Sequence, residues 1–369
     1  MEKKILFILH VPPPINGAAI VGQLIKNSDV INDAFVCDYI NLTTSFSLGT
    51  IGKSNIGKLL TVFRIAFRTV KALLRTDYNL CYMTLTAKGP GFYKDFLIVL
   101  LLKAFGKNLI YHFHNKGVAE NGKNRLNDLM YRITFRNAKC ILLSPTLYGD
   151  VNRYVKEENA YFCANGIPDV GQVVQSPKRV NRKGTPCRFL FLSNMMEEKG
   201  VLILLEACKI LKQKELNFEC HFIGAWSDIT EGIFQKTVTS LNIKDKIFVH
   251  GKKYGTDKLH FFRKADVFVF PTYYHNECFP LVLLEAMQFA LPIVTTFEGG
   301  IPDLVKDSET AILVPTRDSN SLAKELEKLL IDSSLRNIMG IKARRRYEEL
   351  FTFSIFEKNL RDILQLEIP

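Results

Sequence analysis

The chain has 369 residues, of which 47% are hydrophobic, and its mean hydropathy is +0.04. This length exceeds a comfortable single core and predicts two domains, while the composition is typical of a soluble globular protein and excludes a disordered one. The formal net charge is +12, and residues 1 to 183 carry 25 Lys and Arg against 12 Asp and Glu, whereas the remainder carries 24 against 25. The basic excess is therefore N-terminal.

Cysteine spacing and apolar run lengths limit the class of protein further. The eight cysteines include no Cys-x-x-Cys pair, so the sequence predicts neither a zinc site nor a disulfide framework and fits a reducing cytoplasm. The apolar run Ile5 to Leu9 is too short for a signal peptide. The longest such run, Phe96 to Leu102, is far shorter than the roughly 20 residues of a membrane span, so no transmembrane segment is predicted.

The first half alternates apolar strands with helical or loop segments. Strands are predicted at Lys4 to Leu9, Phe35 to Ile40, Asn79 to Met83, Asn108 to Phe113 and Lys139 to Leu143. Such alternation is typical of a mostly parallel, doubly wound sheet. After the first strand, a small-residue loop around Gly17 opens a helix, and its backbone amides are candidates for contact with a pyrophosphate. The alternative is a loop-helix junction without a ligand.

The clearest concentration of positive charge lies in the segment IGKLLTVFRIAFRTVKALLRTDYN. Basic residues recur at helical spacing on one face, at Arg64, Arg68, Lys71 and Arg75. The adjoining face carries Leu60, Phe63, Phe67, Val70 and Leu74. Such a helix fits docking to anionic lipid. The alternative is a surface helix whose apolar face packs on the sheet. Both interpretations hold together if the apolar face covers the core and the arginines face lipid. Nucleic acid is a weaker candidate, because no binding motif accompanies the charge.

Two histidines end the fourth predicted strand, in the segment YHFHNKG. His112 and His114 are two residues apart and share a strand face, so the point where the strand ends decides which of them faces a ligand. We favour His114 because it adjoins the loop 115–117. The alternative is that a histidine at a strand end is structural.

A polar linker, Gly171 to Pro186, precedes a second series of strands. These are predicted at Arg188 to Leu192, Phe218 to Ile223, Lys246 to Val249, Val267 to Phe270 and Pro292 to Thr295. Each half is therefore Rossmann-like in outline. Because ligands bind beyond the carboxyl ends of such strands, two facing sheets would share an interdomain cleft. Lys199 follows the first strand of the second half and leads into a helix at Val201 to Leu211; in isolation it fits a solvated residue in a charged run.

Glu277 and Glu285 flank the start of a mostly apolar helix predicted at Leu281 to Ala290, with Pro280 near its first turn. Glu277 lies just before this helix, and Glu285 lies about one turn inside it. The N–H groups around Cys278 to Leu281 are a natural site for phosphate or sugar oxygens. The alternative is that Glu277 only caps the helix while Glu285 faces solvent.

A glycine pair follows the next strand, in the segment FEGGIPD. It lets the backbone approach a ligand closely and is a candidate second phosphate cradle. Taken together, ECFPLVLLEAMQFALPIVTTFEGGIPDLV resembles the signature of the retaining glycosyltransferases of family 4, the glycosyl transferases group 1. More loosely, the resemblance extends over nearly the whole chain.

The resemblance implies an α/β protein with the GT-B fold, in which two Rossmann-like parallel-sheet domains face each other across a cleft. Residues 1–175 would form the acceptor-binding domain, and residues 187–350 the nucleotide-sugar-binding domain. Residues 351–369 would form a C-terminal helix that packs back on the N-terminal domain.

The resemblance also implies the site residues. The catalytic residues would be His114, Glu277 and Lys199. The donor-binding residues would be Gly17, Asn194, Lys199, Glu277, Cys278, Phe279, Pro280, Leu281 and Glu285. Glu277 and the amides of Phe279 to Leu281 would hold the sugar hydroxyls, Glu285 the ribose, and Lys199 the diphosphate.

Two positions depart from the family pattern. Asn16 stands where the family often has the first glycine of a pair, so only Gly17 carries over. Asn194 stands about where many members have an arginine. Lys199 would therefore be a single cation at the leaving group, unless Lys252 or Lys253 substitutes.

The implied activity is transfer of a sugar, with retention, from a UDP- or GDP-linked donor to a hydroxyl acceptor. A DxD metal motif is absent from the sequence, so no metal and no cofactor are expected, and Lys199 with helix N-termini would take the metal's role. No base is evident, which fits a front-face mechanism in which the departing phosphate oxygen takes the acceptor's proton.

The basic N-terminal half favours a lipid-linked acceptor, as in assembly of capsule, lipopolysaccharide or exopolysaccharide. The protein would then be cytoplasmic and peripheral on the inner face of the cytoplasmic membrane, in contact with anionic lipid and without a nucleic-acid partner. The alternatives are a glycosyltransferase acting on a small soluble acceptor, a GT-B sugar-nucleotide epimerase, and a non-catalytic membrane-binding or nucleotide-sugar-binding module.

Overall fold

The computed structural model describes residues 2–44, 56–170 and 184–368. The chain divides into two compact units, of which the first comprises Met1–Gly166 and Phe353–Pro369 and the second comprises Ile167–Thr352. The C-terminal helix thus belongs to the first unit. Most of the predicted linker, residues 171–183, lies outside the described residues.

The first unit is built on a parallel sheet of six strands in the order β2-β1-β3-β4-β5-β6. The strands are β1 (Lys4–Leu9), β2 (Val36–Asn41), β3 (Leu80–Thr84), β4 (Leu109–His112), β5 (Ala138–Leu142) and β6 (Ala160–Phe162). Strands β1 and β3 are buried along nearly their whole length, as is typical of parallel strands with both faces covered.

Seven α-helices of the first unit lie within the described residues. They are α1 (Gly17–Lys26), α2 (Asp29–Ala34), α3 (Ile56–Arg75), α4 (Gly89–Ala104), α5 (Val118–Asn121), α6 (Arg125–Phe135) and the C-terminal α14 (Phe353–Leu366). Helix α14 packs against α2, and the Ser28 hydroxyl donates to Glu357 Oε2 at 2.7 Å. These contacts fix the C-terminal segment on the first unit.

The second unit repeats the design with a parallel sheet in the order β12-β11-β10-β7-β8-β9. Its strands are β7 (Cys187–Leu192), β8 (Phe218–Ile223), β9 (Ile247–Val249), β10 (Val267–Phe270), β11 (Ile293–Thr296) and β12 (Ala311–Val314). Its helices are α7 (Val201–Gln213), α8 (Glu231–Ser240), α9 (Gly255–Lys264), α10 (Leu281–Gln288), α11 (Ile301–Leu304), α12 (Ser319–Ile331) and α13 (Ser333–Leu350).

The prediction of two Rossmann-like parallel sheets is confirmed. The sequence does not predict β6 or β12, which are edge strands of three and four residues. Such short segments carry too little periodicity to separate a strand from a loop.

In each sheet the strand order reverses at the first strand. Strand β1 has β2 on one side and β3 on the other, and β7 likewise has β8 and β10. Such a reversal opens a crevice at the carboxyl ends of the two central strands, where ligands of doubly wound sheets bind. The residues that follow β7 and β10, and those that follow β1 and β3, are therefore placed for function.

Helix α3 does not pack its predicted apolar stripe on the core. Among its described side chains, the buried ones are Ile65, Thr69 and Leu73. Four residues of the predicted stripe are between 58% and 72% exposed, namely Leu60, Phe63, Phe67 and Leu74. The alternative in which this stripe covers the sheet is therefore wrong. The helix instead turns inward the side that carries the small residues Ala66 and Ala72, which pack on the core.

The four basic residues that the sequence predicts for lipid contact are exposed as well, at Arg64, Arg68, Lys71 and Arg75. Charged and large apolar side chains thus share the outer surface of one helix, which we call the α3 surface. No helix in the described ranges is long and apolar enough to cross a bilayer.

Candidate functional site

Lys199 and Glu277 meet at the carboxyl ends of β7 and β10. Lys199 ends a 3-10 turn, Glu197–Lys199, that follows β7, and Glu277 lies between β10 and α10. The Lys199 Nζ atom lies 2.5 Å from Glu277 Oε2, and the two side chains are only 13% and 10% exposed. Two residues singled out from separate segments of sequence therefore form one largely buried, charge-assisted hydrogen bond.

Neighbouring side chains fix this ion pair. The Lys199 ammonium lies 4.4 Å from the centre of the Tyr274 ring, in cation–π geometry. The Thr272 hydroxyl donates to the same Glu277 oxygen at 3.5 Å. The Tyr273 N–H donates to the Glu198 carbonyl at 2.7 Å, which ties the loop after β10 to the turn that carries Lys199. Sequence reasoning missed Thr272 and Tyr274, because no motif distinguishes them.

The predicted glycine pair packs against the Glu277 loop. Gly299 has a φ of +59°, and a Cβ atom there would lie 2.0 Å from the Glu277 carbonyl oxygen, so only glycine fits. The Gly300 N–H donates to the Cys278 carbonyl at 2.8 Å. The pair therefore supports the loop, and the Gly300 amide is already occupied rather than open to a phosphate.

Helix α10 presents an N-terminus without a side-chain cap beside Glu277. Its N-cap residue, Pro280, makes no side-chain hydrogen bond, so the first-turn N–H groups from Leu281 onward lack a capping side chain. Cys278 and Phe279, which precede them, are buried. The N–H groups and the helix dipole favour an anion at this position.

Glu285 lies about one turn inside α10 and pairs with a lysine that the sequence does not single out. The Nζ atom of Lys258, on α9, lies 2.5 Å from Glu285 Oε1, and the two side chains are 23% and 22% exposed. Glu285 is thus paired and mostly enclosed, so the alternative in which it simply faces solvent is wrong.

Gly17 and Asn194 are the remaining predicted donor-binding positions. Gly17 is the first residue of α1, and the neighbouring Asn16 side chain accepts the Ala19 N–H at 3.0 Å as the helix N-cap. Asn194 is exposed in the loop after β7. The two lysines suggested as substitute cations follow the edge strand β9, which β8 separates from β7.

Three histidines gather at the carboxyl ends of β1, β3 and β4 in the first unit. His112, the last residue of β4, is buried, and its Nδ1 lies 2.5 Å from the Tyr82 hydroxyl. The His114 ring centre lies 4.3 Å from that of His112. His10 follows β1, and its Nδ1 lies 3.1 Å from the Thr84 hydroxyl. His114 thus lies beyond the strand end and is half-buried, with both ring nitrogens enclosed, whereas His112 belongs to the core.

This histidine cluster is uncharged near neutral pH. Burial, with the nearby His10, lowers the pKa of His114 to about 3. Burial, with the Lys94 ammonium, lowers the pKa of His10 to about 4, and burial also lowers the pKa of His112 well below its usual value. Neither ring nitrogen of His114 has a hydrogen-bond partner among the described residues. A neutral imidazole in this state offers one donor and one acceptor to a ligand hydroxyl.

We expect the free energy of unfolding of the wild type to decrease as pH is lowered from 7 to 5. The free energy of unfolding of the variant His114→Phe should decrease less over the same range. The native pKa of about 3 lies below that of an unfolded histidine, so the unfolded chain binds more protons as pH falls through this window. This contribution to stability is fully present above the pKa of the unfolded histidine and is lost as pH falls toward the pKa of the folded one. Between pH 7 and pH 5 the loss is about 1 to 2 kcal/mol per histidine. Urea denaturation at both pH values measures it.

The exposed residue His260 supplies the control. The variant His260→Gln removes one exposed histidine outside the cluster, so it controls for the loss of an imidazole as such. A slope for His114→Phe equal to that of the wild type contradicts the assignment of the buried cluster.

A separate cavity of about 310 Å³ lies in the second unit, between α9 and the strands β7 to β9. Its polar lining includes Arg188, Glu219, His221, His250, His260 and Lys264. The predicted site residues do not line it. We place the candidate site at the carboxyl ends of β7 and β10, because the charged groups and helix N-terminus converge there.

The chain matches known proteins over its second half. Residues 174–346 match the family model described as glycosyl transferases group 1. The capsular polysaccharide biosynthesis glycosyltransferase CapM of Staphylococcus aureus is 30% identical over 179 residues, which are 47% of this chain and 44% of CapM. The putative colanic acid biosynthesis glycosyltransferase WcaL of Escherichia coli (strain K12) is 28% identical over 197 residues, 52% of this chain and 48% of WcaL. The chain spans about half the length of the curated relatives it matches.

Solved structures match the whole chain. The structure of Anabaena Alr3699/HepE in complex with UDP and glucose has a TM-score of 0.73 at 16% identity and covers 99% of this chain and 100% of that chain. At such low identity the likeness shows the fold, which is GT-B. The second half of the chain is thus similar to the glycosyl transferases group 1, and the chain as a whole has the GT-B fold.

Proposed function

We propose that the protein is a retaining glycosyltransferase that moves a sugar from a nucleoside diphosphate sugar to a hydroxyl acceptor. The observation that carries this proposal is the Lys199–Glu277 ion pair beside the N-terminus of α10. A carboxylate suits sugar hydroxyls, a lysine ammonium suits a diphosphate, and helix N–H groups suit either. A nucleotide sugar is the ligand class that presents all of these groups together.

The donor-binding residues divide between the parts of such a ligand. Glu277 and the amides of Phe279 to Leu281 would hold the transferred sugar, and Glu285 the ribose. Lys199 would turn from Glu277 to the diphosphate, where its charge offsets the negative charge that grows on the departing group. The structure of Alr3699/HepE holds UDP and glucose, which supports a UDP-linked donor; a GDP-linked donor is the alternative.

His114 is the candidate catalytic residue of the first unit. With a pKa of about 3, its imidazole is a weak base at neutral pH and would serve as a hydrogen-bond partner of a hydroxyl rather than as a general base. The departing phosphate oxygen would then take the proton of the acceptor hydroxyl. This front-face route forms the new glycosidic bond on the side that the leaving group vacates, which retains the anomeric configuration.

Chelation is expected to leave the activity unchanged. The proposed chemistry assigns stabilisation of the leaving diphosphate to Lys199 and the N-terminus of α10, a role that a divalent ion fills in other phosphate-transferring sites. The measurement is the initial rate of transfer with and without excess EDTA. Loss of activity that magnesium or manganese restores contradicts the metal-independent mechanism.

The α3 surface supports a lipid-linked acceptor and a peripheral place on the inner face of the cytoplasmic membrane. Exposed basic and large apolar side chains on one helix are the pattern that binds anionic lipid. CapM and WcaL are described as glycosyltransferases of capsular polysaccharide and colanic acid biosynthesis. Those descriptions support assembly of a cell-surface polysaccharide as the process that this protein serves.

Radiolabelled donors test the activity and the acceptor class in one experiment. The protein is incubated with labelled UDP-sugars and GDP-sugars, with or without bacterial membranes, and label is followed into lipid-extractable material. We expect transfer from one donor class, only with membranes present, and none with the variant Glu277→Ala. Conversion of the donor to an isomeric nucleotide sugar without any acceptor identifies an epimerase instead. Absence of transfer from every donor contradicts the proposal.

A further inference from the structure

Each glutamate of the candidate donor site forms an ion pair with a lysine. Lys199 pairs with Glu277 at 2.5 Å, and Lys258 pairs with Glu285 at the same distance. Lys199 comes from the turn after β7 and Lys258 from α9, so the two ammonium groups reach α10 from different elements. The site therefore contains two cations, although the chain has Asn194 where many of its family have an arginine.

The position of Lys258 follows from that of Glu285. Leu281 begins α10, and Glu285 is four residues further on, about 6 Å along the helix axis at 1.5 Å per residue. The Glu285 backbone is therefore about one helical turn from the start of α10, and the Lys258 ammonium contacts the carboxylate that this residue carries. Both side chains of the pair are about one-fifth exposed, so a ligand can reach them.

We propose that Lys258 binds the diphosphate of the nucleotide sugar and is the second cation of the leaving-group site. This inference rests on the proposed function and deepens it. A ribose whose hydroxyls hydrogen-bond to Glu285 carries its phosphate through C5′ of the same ring. A lysine side chain that reaches the Glu285 carboxylate can therefore also reach that phosphate, because its four-carbon chain is flexible.

The exchange of partners leaves neither charge unpaired. The Lys258 ammonium passes from Glu285 to the phosphate, while the Glu285 carboxylate accepts hydrogen bonds from the ribose hydroxyls. A lysine–phosphate hydrogen bond is charge-assisted on both sides, and the N-terminal dipole of α10 acts on the same anion. In the free protein Lys258 also offsets the charge of Glu285, which would otherwise repel an incoming diphosphate.

The test compares ligands that differ only in the phosphates. Dissociation constants for UDP and GDP, and for uridine and guanosine, are measured for the wild type and for Lys258→Met. We expect Lys258→Met to weaken the cognate diphosphate at least tenfold and to leave its nucleoside unchanged or bound more tightly, since Glu285 loses a competitor. The variant Lys258→Arg should retain most of the diphosphate affinity.

A matched control lies on the same helix. Lys264 on α9 is exposed and lines the separate cavity, so Lys264→Met removes one positive charge away from Glu285 and should leave every constant unchanged. Circular dichroism verifies that the variants are folded. If Lys258→Met does not fold, the same measurements are made on Lys258→Gln.

The outcomes separate the two proposals. Unchanged diphosphate affinity in Lys258→Met, or an equal loss for nucleoside and diphosphate, overturns the role of Lys258 while the nucleotide site stands. Failure of the wild type to bind either diphosphate overturns the proposed function, and the role of Lys258 with it.

Discussion

Replacement of Lys199 or Glu277 by alanine is expected to abolish sugar transfer while leaving the protein folded. Lys199 supplies the charge that stabilises the departing diphosphate, and loss of one such group typically lowers the rate by about 10²–10³. Glu277 positions the transferred sugar, so its loss removes the alignment of the reacting carbon. Initial rates with the cognate donor measure both effects.

The contact between the two side chains makes a sharper test possible. In the variant Lys199→Met, the partner that remains for the Glu277 carboxylate, 10% exposed, among the described residues is the Thr272 hydroxyl at 3.5 Å. We expect a lower melting temperature, because an enclosed charge has lost its counter-ion. The double variant Lys199→Met/Glu277→Gln should regain much of that stability, since neither charge is then unpaired, yet remain inactive.

A surface ion pair supplies the control for this experiment. Lys214 pairs with Glu327, and the two side chains are 49% and 26% exposed. The variant Lys214→Met should change neither the rate nor the melting temperature appreciably, because exposed pairs contribute about 0–1 kcal/mol. Wild-type turnover in Lys199→Met or in Glu277→Ala would falsify the assignment of the donor site.

The strands are accessible to sequence reasoning because their apolar residues either run continuously, as in Val267–Phe270, or alternate with polar ones, as in Phe218–Ile223. Phe218–Ile223 and Val267–Phe270 have the predicted bounds. The edge strand Ala311–Val314 is as short as Val267–Phe270, and its apolar run does not differ from that of a short buried helix. Local pattern therefore predicts the centre of each sheet better than its edge.

Some residues of the donor site are likewise predictable from the sequence, and others are not. Glu277 and Lys199 stand beside features that a sequence displays, a helix start and a strand end, and the reversal of strand order brings those two ends together. Lys258 stands in an ordinary amphipathic helix, and only the packing of α9 against the site reveals its pairing with Glu285. Tyr274 likewise owes its role to the three-dimensional position of the Lys199 ammonium above its ring.

The α3 surface illustrates a different limit. The sequence shows that basic and apolar residues alternate along the helix, and it does not determine which side packs inward. Ile65 and Leu73 fill the core, although Phe63 and Phe67 have the larger apolar area. Burial of smaller residues leaves the phenylalanines in solvent, which costs free energy unless another surface covers them.

Reversal of charge at Arg64, Arg68, Lys71 and Arg75 to glutamate is expected to abolish binding to anionic vesicles. Each basic residue near such a surface contributes about 1 kcal/mol, so four of them account for much of the affinity, and four glutamates add repulsion. Sedimentation with vesicles of phosphatidylglycerol and phosphatidylcholine measures the bound fraction, which should fall at least tenfold. Without the anionic lipid, the wild type should bind weakly.

The apolar residues provide an independent arm of the same test. Phe63 and Phe67 are 58% and 68% exposed, and Phe63→Ser/Phe67→Ser keeps the charge while removing the side chains that would enter the headgroup region. We expect weaker binding at every lipid composition. The binding that remains should fall more steeply with salt concentration than that of the wild type, because it depends on charge alone.

The control reverses four exposed lysines of the second unit, namely Lys236, Lys244, Lys324 and Lys342. It changes the net charge of the chain by the same amount as reversal on α3, so a general effect of net charge would weaken binding equally in both variants. Binding that survives reversal on α3, or that falls equally in the control, defeats the lipid hypothesis. Selective loss on α3 instead places the membrane contact on the unit that carries His114, the half of the protein proposed to receive the acceptor.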